Sequence, residues 1–109
     1  MNEVVWNEKT LKIVKSFPEE IKKNLGYLIF KLQLGEKLSA PHSKSMSTIE
    51  KGCYELRLKD RDGIYRAFYY LKIEERVLIF HAFQKKTHKT PKKDIDLGKK
   101  NLKEMLNDN

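Results

Sequence analysis

The chain has 109 residues, 39% hydrophobic and 35% charged, with 23 Lys and Arg against 15 Asp and Glu. That length fits one domain around one core, and the net charge of +8 points to a phosphate-rich, acidic or anionic-surface partner. A single cysteine, Cys53, excludes an intrachain disulfide and a thiolate metal site, and no apolar run approaches the ~18 residues that span a membrane.

Met1 to Trp6 lacks a basic stretch followed by an apolar one, so no signal peptide is expected and the cytoplasm is the expected compartment. Glu3–Trp6 is β-prone and reads as a first strand. Asn7 is placed to cap a helix running to Phe17, with Leu11, Val14 and Phe17 spaced three apart. Ser16 and Glu19 flank Pro18 at capping-box spacing, which starts a second helix. Ile21, Leu25, Leu28 and Leu32 give that helix one buried face, and Gly35 is placed to end it. Glu36 to Gly52 has no period and reads as a long loop, a length often tied to function. Its lysines Lys37, Lys44 and Lys51 extend a cationic surface.

Cys53–Lys59, Ile64–Ile73 and Arg76–Gln84 read as three strands of an antiparallel meander. Asp60-Arg61-Asp62-Gly63 joins the first two, Asp-Gly supplying a positive φ. Thr90 is placed to cap a last helix with Pro91 at its first position. Ile95, Leu102, Met105 and Leu106 form its apolar stripe. The predicted order is β-α-α-β-β-β-α, an α+β domain covering residues 1–109.

Strand alternation sorts the side chains of the meander. Leu56, Leu58, Ala67, Leu71, Leu78 and Phe80 are expected against the helices. Glu55, Arg57, Arg66, His81 and Lys85 then share the other face with Phe68, Tyr70 and Phe83. Cations interleaved with aromatics suit a single-stranded nucleic acid, through phosphate pairing and base stacking. The alternative for Arg57 and Arg66 is a structural pairing with Glu55, and for His81, between Phe80 and Ala82, a packed core position. Three dispersed histidines give no metal-ligand spacing, so no metal site is expected. There is no phosphate-binding glycine loop and no nucleophile elbow.

After the last strand, Gln84-Lys85-Lys86-Thr87-His88-Lys89-Thr90-Pro91-Lys92-Lys93 holds five lysines and one histidine without an acid. Together with Glu55-Leu56-Arg57, Gly63-Ile64-Tyr65-Arg66, Phe80-His81-Ala82-Phe83 and Asp94-Ile95, this string resembles the phage Gp49-like branch of the HigB/RelE toxins. The likeness spans about Gly52 to Leu106, and its most specific part is K-K-T-x-K-T-P. Asp94 stands where Glu is common in that branch and Gly98 where Ala is common. Gly98 is expected to weaken the last helix by about 0.5–1 kcal/mol.

The resemblance implies a RelE-like fold with a small antiparallel sheet. It also implies the toxin of a type II toxin–antitoxin pair, held by a helix-turn-helix antitoxin in a toxin–antitoxin heterotetramer. Many such toxins cleave mRNA in the ribosomal A site without a cofactor, so an endoribonuclease acting on ribosome-bound mRNA is expected. The alternative is a ParE-like toxin that binds DNA gyrase without cutting RNA. For cleavage, Arg57 and Arg66 are expected to stabilise the phosphorane, since a guanidinium fork matches phosphate oxygens. Lys85 and Lys86 serve as charge clamps or proton carriers, with His81, Glu55 and His88 as alternative proton carriers. Contacts to RNA or the ribosome are expected from Lys59, Tyr70, Phe83, His88, Lys89, Lys92 and Lys93.

Overall fold

A computed structural model describes residues 1–85 and 89–107. The elements are β1 (Glu3–Trp6), α1 (Glu8–Lys15), α2 (Glu19–Gln33), β2 (Ser43–Ser45), β3 (Cys53–Asp60), β4 (Gly63–Tyr70), β5 (Arg76–Lys85) and α3 (Lys92–Asn107). The strands form one sheet in the order β1-β5-β4-β3-β2. β2 to β5 run antiparallel, while β1 pairs parallel to β5 at the opposite edge. The α+β expectation holds, with one element added: the long loop contains β2, which pairs with β3.

Local chemistry starts and stops the helices. Asn7 Oδ1 accepts from the Thr10 backbone N–H at 2.9 Å and from its hydroxyl at 2.8 Å, so the expected cap of α1 is in place. The capping box at α2 is not formed. Ser16 instead donates to the Ile13 carbonyl at 2.6 Å and closes α1, and Pro18 precedes the first turn of α2 without a side-chain bond. α2 ends in a Schellman pair, Glu36 N–H to Lys31 carbonyl and Gly35 N–H to Leu32 carbonyl, each 3.0 Å. Gly35 makes that turn at φ +84°, which glycine adopts without strain.

The β3–β4 hairpin closes differently from the expected Asp-Gly turn. Gly63 pairs with Asp60 as the last rung of the ladder, and its φ is not positive. Asp60 Oδ1 holds the turn by accepting from Asp62 and Gly63 N–H groups at 2.8 and 3.0 Å. At the β4–β5 corner the left-handed residue is Glu75, with φ 62°.

A β-bulge decides which residues face which helix. On β5, Ile79 stands opposite Tyr69 and His81 opposite Phe68, so Phe80 is an extra residue. Before it, Val77 and Ile79 pack with Leu56, Ala67 and Tyr69 against Val14, Phe17, Ile21, Leu25 and Leu32 of the α1–α2 side. Leu78 and Phe80 turn to the opposite face, where they pack with Phe68, Phe83 and Leu102 under α3. This corrects the expectation that Leu78 and Phe80 share a face with Leu56 and Ala67. Leu71 lies beyond the end of β4 and is exposed. Both faces of the sheet are therefore covered, one by α1 and α2 and the other by α3.

α3 lies close enough to the sheet that Gly98 has a packing role. A Cβ at that position would sit 2.9 Å from Phe68 Cδ2 and 3.4 Å from Phe80 Cε2, both in fully buried rings. Overpacking at such a site costs about 1–3 kcal/mol, against about 1 kcal/mol gained in helix propensity. Gly98→Ala is therefore expected to lower stability by up to about 2 kcal/mol net, read as a lower urea midpoint at unchanged slope. A higher midpoint would show that α3 shifts to admit the methyl group. Cys53 is buried, and burial first, then the nearby Glu50 charge, pushes its thiol up to about 12, so it is an unreactive core residue.

Candidate active site

Past the bulge, alternation does what the sequence suggests. Arg57 on β3 stands directly opposite Arg66 on β4, and Glu55 is two residues before Arg57 on the same face. Two cations facing each other across a ladder repel, and Glu55 lies between them. Its Oε1 is 3.3 Å from Arg66 Nε and 3.6 Å from Arg57 Nε. Glu55 and Arg66 are buried, whereas the Arg57 side chain is one-third exposed. The Glu55–Arg66 contact is an ion pair without a directed hydrogen bond. Arg66 Nε is buried with no hydrogen-bond partner among the described residues, and Arg66 Nη1 donates to the Tyr65 carbonyl at 3.3 Å. Burial lowers the Arg66 guanidinium below its ordinary range, with Glu55 opposing and Arg57 adding to the shift.

Lys85, at the end of β5, is buried beside this cluster. Burial first, then the charges of Arg66, Arg57 and Lys44, push its ammonium below the ordinary lysine range, and Glu55 acts the other way. The unfolded chain keeps this proton to about pH 10.4, while the folded chain releases it earlier. Between those two values the unfolded state binds more protons, so stability rises with pH as it passes the lowered value. Urea midpoints of wild type and Lys85→Met, followed from about pH 7 to about pH 10, are expected to show wild type gaining on the variant as pH rises, while the raised Cys53 thiol lowers both curves alike. Parallel curves would place Lys85 in an ordinary solvated environment.

Thr90 supplies a contact that the sequence did not disclose. Its hydroxyl donates to Glu55 Oε2 at 2.8 Å instead of capping α3. This bond ties Thr90, just before α3, to the buried carboxylate 35 residues away. Of the lysine-rich segment, Lys89, Lys92 and Lys93 are exposed, and Lys92 pairs with Asp96 at 2.8 Å one turn on. Lys86 and His88 lie outside the described residues.

His81 is paired with Asp94. Its Nε2 is 2.8 Å from Asp94 Oδ1, both groups are buried, and its ring stacks on Phe83 with centroids 5.4 Å apart. The pair ties β5 to the first turn of α3, and the Phe68 ring adjoins it. The same packing corrects the expectation that Phe68, Tyr70 and Phe83 serve base stacking on that face. Tyr70 and Phe83 are buried in the cluster under α3 with Phe68, so they present no free ring face to a base. Asp94 was legible only as an acidic residue of the resembling pattern, and its partner His81 is 13 positions away.

A groove of about 760 Å³ reaches this site from the α2 side. It runs between α2 and the segment 36–42 and is lined by Arg57 and Arg66. Lys59 lines it too, and also the smaller hollow at the β3–β4 hairpin that touches Lys85. The groove residues Tyr27 and Lys31 lie off the apolar stripe of α2 and His42 lies in a stretch without a period, so none carried a sequence signal. Among the described residues, no group of three His, Cys, Asp or Glu is arranged to hold a metal ion, and no helix is long and apolar enough to cross a membrane.

The architecture is that of a RelE-like fold. The chain is similar to the isolated E. coli RelE toxin, with TM-score 0.57 and 14% identity over 81% of this chain and 89% of that one. It is also similar to a chain of the intact E. coli RelBE toxin–antitoxin complex, with TM-score 0.60 and 15% identity over 80% of this chain and all of that one. Residues 12–103 match the model of the family described as "Phage derived protein Gp49-like (DUF891)", and the chain belongs to that family. Among curated proteins no significant match is found.

Proposed function

We propose that this chain is the toxin of a type II toxin–antitoxin pair and acts as an endoribonuclease on ribosome-bound mRNA. The observation that carries the reading is the Arg57–Glu55–Arg66 cluster with Lys85 beside it, a focus of buried and half-buried positive charge around one carboxylate. The RelE-like fold and the Gp49-like family support it. The RelBE assembly supports an antitoxin as the protein partner, and the cytoplasm is the proposed place of action.

In this mechanism the 2′-hydroxyl loses its proton and its oxygen attacks the adjacent phosphorus. The new O2′–P bond forms, the P–O5′ bond breaks, and the 5′-oxygen takes up a proton. The products are a 2′,3′-cyclic phosphate and a 5′-hydroxyl. Arg57 and Arg66 meet the extra negative charge of the phosphorane, and their preset positions spare reorganisation at that moment. Glu55 holds both guanidinium groups and Thr90, which makes it a positioning residue. Lys85, with its lowered proton affinity, is the proton carrier best placed on the sheet. Lys86 and His88 remain proposed contributors from the adjoining segment. Lys59, Lys89, Lys92 and Lys93 grip RNA or ribosomal phosphates, which makes affinity fall with salt.

Induction in a bacterial host, with growth followed and message 5′ ends mapped by primer extension, tests the reading. Growth arrest with in-frame cuts is expected. Arrest with DNA damage and uncut messages would replace it by the gyrase-binding alternative, and unimpaired growth would reject a toxin.

A further inference from the structure

The groove beside α2 is larger than the cluster needs. Its volume of about 760 Å³ lies within the range of ligand sites. Its charged lining is one-sided, with Lys31, Lys37, Arg57, Lys59 and Arg66 against Glu36 alone. Its apolar lining includes Leu28, Leu38 and Leu58. Tyr27 stands at it with 61% of its surface exposed, and Lys31 Nζ lies 5.0 Å from the centre of its ring. The exposed Tyr27 ring, with a cation beside it, offers a face on which a base can stack. A second observation is independent of the groove's shape. Arg66, 95% buried, keeps a donor, Nε, without a hydrogen-bond partner among the described residues. A buried unsatisfied donor costs free energy that an acceptor oxygen would return.

We infer that this groove is a nucleotide subsite, in which single-stranded RNA flanking the scissile phosphate lies between α2 and the segment 36–42. A base stacks on Tyr27 and against Leu38. The flanking phosphates lie among Lys31, Lys37 and Lys59. The strand then enters the site at Arg57, and Arg66 Nε donates to a phosphate oxygen. The inference rests on the proposed RNA reading and adds where the strand runs. RNA fits better than an acidic peptide, because a nucleotide joins acceptor oxygens to a flat ring. A peptide of acids would use the cations and leave Tyr27 and the apolar wall idle.

The test is an amide NMR titration of the ¹⁵N-labelled full chain with a 2′-O-methyl hexaribonucleotide, which lacks the attacking hydroxyl and stays intact. Shifts are expected at Tyr27, Leu38 and His42 together with Arg57 and Arg66. Tyr27→Ala, a change at an exposed position, should weaken Kd by roughly 5-fold or more with an otherwise unchanged spectrum. Binding whose shifts are confined to residues 89–93, with Tyr27→Ala inert, would overturn the subsite and leave the RNA reading standing. No binding would overturn the subsite, while the ribosome-bound RNA reading stands or falls with the mapped cuts. A hexaglutamate peptide that shifts the groove amides while the RNA does not would assign the groove to an acidic protein partner and overturn the inference.

Discussion

Glu55→Gln is expected to lower the melting temperature by roughly 12 °C. The carboxylate is the anion between two arginines that face each other across β3 and β4, at 3.3 and 3.6 Å from their Nε atoms. Glutamine keeps the shape and one acceptor oxygen, so the bond from Thr90 can survive while the charge is lost. Removing one member of a buried charged set costs about 3–5 kcal/mol, because the partners stay buried without compensation. The lower figure applies here, since Arg57 is one-third exposed and water screens it. For a domain of this length about 4 °C is lost per kcal/mol. Thermal unfolding followed by circular dichroism measures the shift, with Thr90→Val as a companion expected to cost about 1 kcal/mol. An unchanged melting temperature for Glu55→Gln would mean that the arginines do not depend on the carboxylate, and the positioning role assigned to it would fall.

Arg66→Lys is expected to leave the fold intact and reduce RNA cleavage by about 10²–10³-fold, the loss typical of one misplaced donor to a developing oxyanion. Lysine retains the positive charge, so Glu55 keeps a partner and stability changes little. What is lost is the planar fork and the Nε donor, which an ammonium on a flexible stem cannot reproduce. Arg66→Ala should abolish growth arrest as well, but it also strands the buried carboxylate, so the lysine variant separates chemistry from stability. The measurement is the initial cleavage rate of a defined message in a ribosome-programmed translation mixture, alongside the melting temperature. Wild-type rates for Arg66→Lys at matched concentration would remove Arg66 from the phosphorane.

These two variants probe a site that was half legible in the residues. Arg57 and Arg66 were assigned to one face with Glu55 and Lys85 by strand alternation. That holds because no irregularity interrupts β3 or the hairpin half of β4 and β5. Alternation failed at Leu78 and Phe80, since a bulge at Phe80 is set by how β5 pairs with β4 and fits under α3, which no local pattern encodes. The aromatics read as a stacking surface are covered by that same helix. Thr90 looked like a cap because Pro91 follows it, yet its hydroxyl finds a stronger, charged acceptor across the fold.

Local spacing was sufficient for the helices and for the three-stranded meander. Apolar residues at helical and strand periods, Asn7 as a cap and Gly35 at a left-handed terminus act within a few residues of themselves. The one-sided charge and the lysine string were also visible in the chain alone, and they pointed to a polyanion. Tertiary structure alone decided that His81 is tied to Asp94, that Gly98 makes room for Phe68, and that a groove beside α2 leads to Arg66. Each of these joins residues far apart in sequence, and their distances depend on how α2 and α3 seat on a bulged sheet, a sum of many weak contacts that no single segment carries.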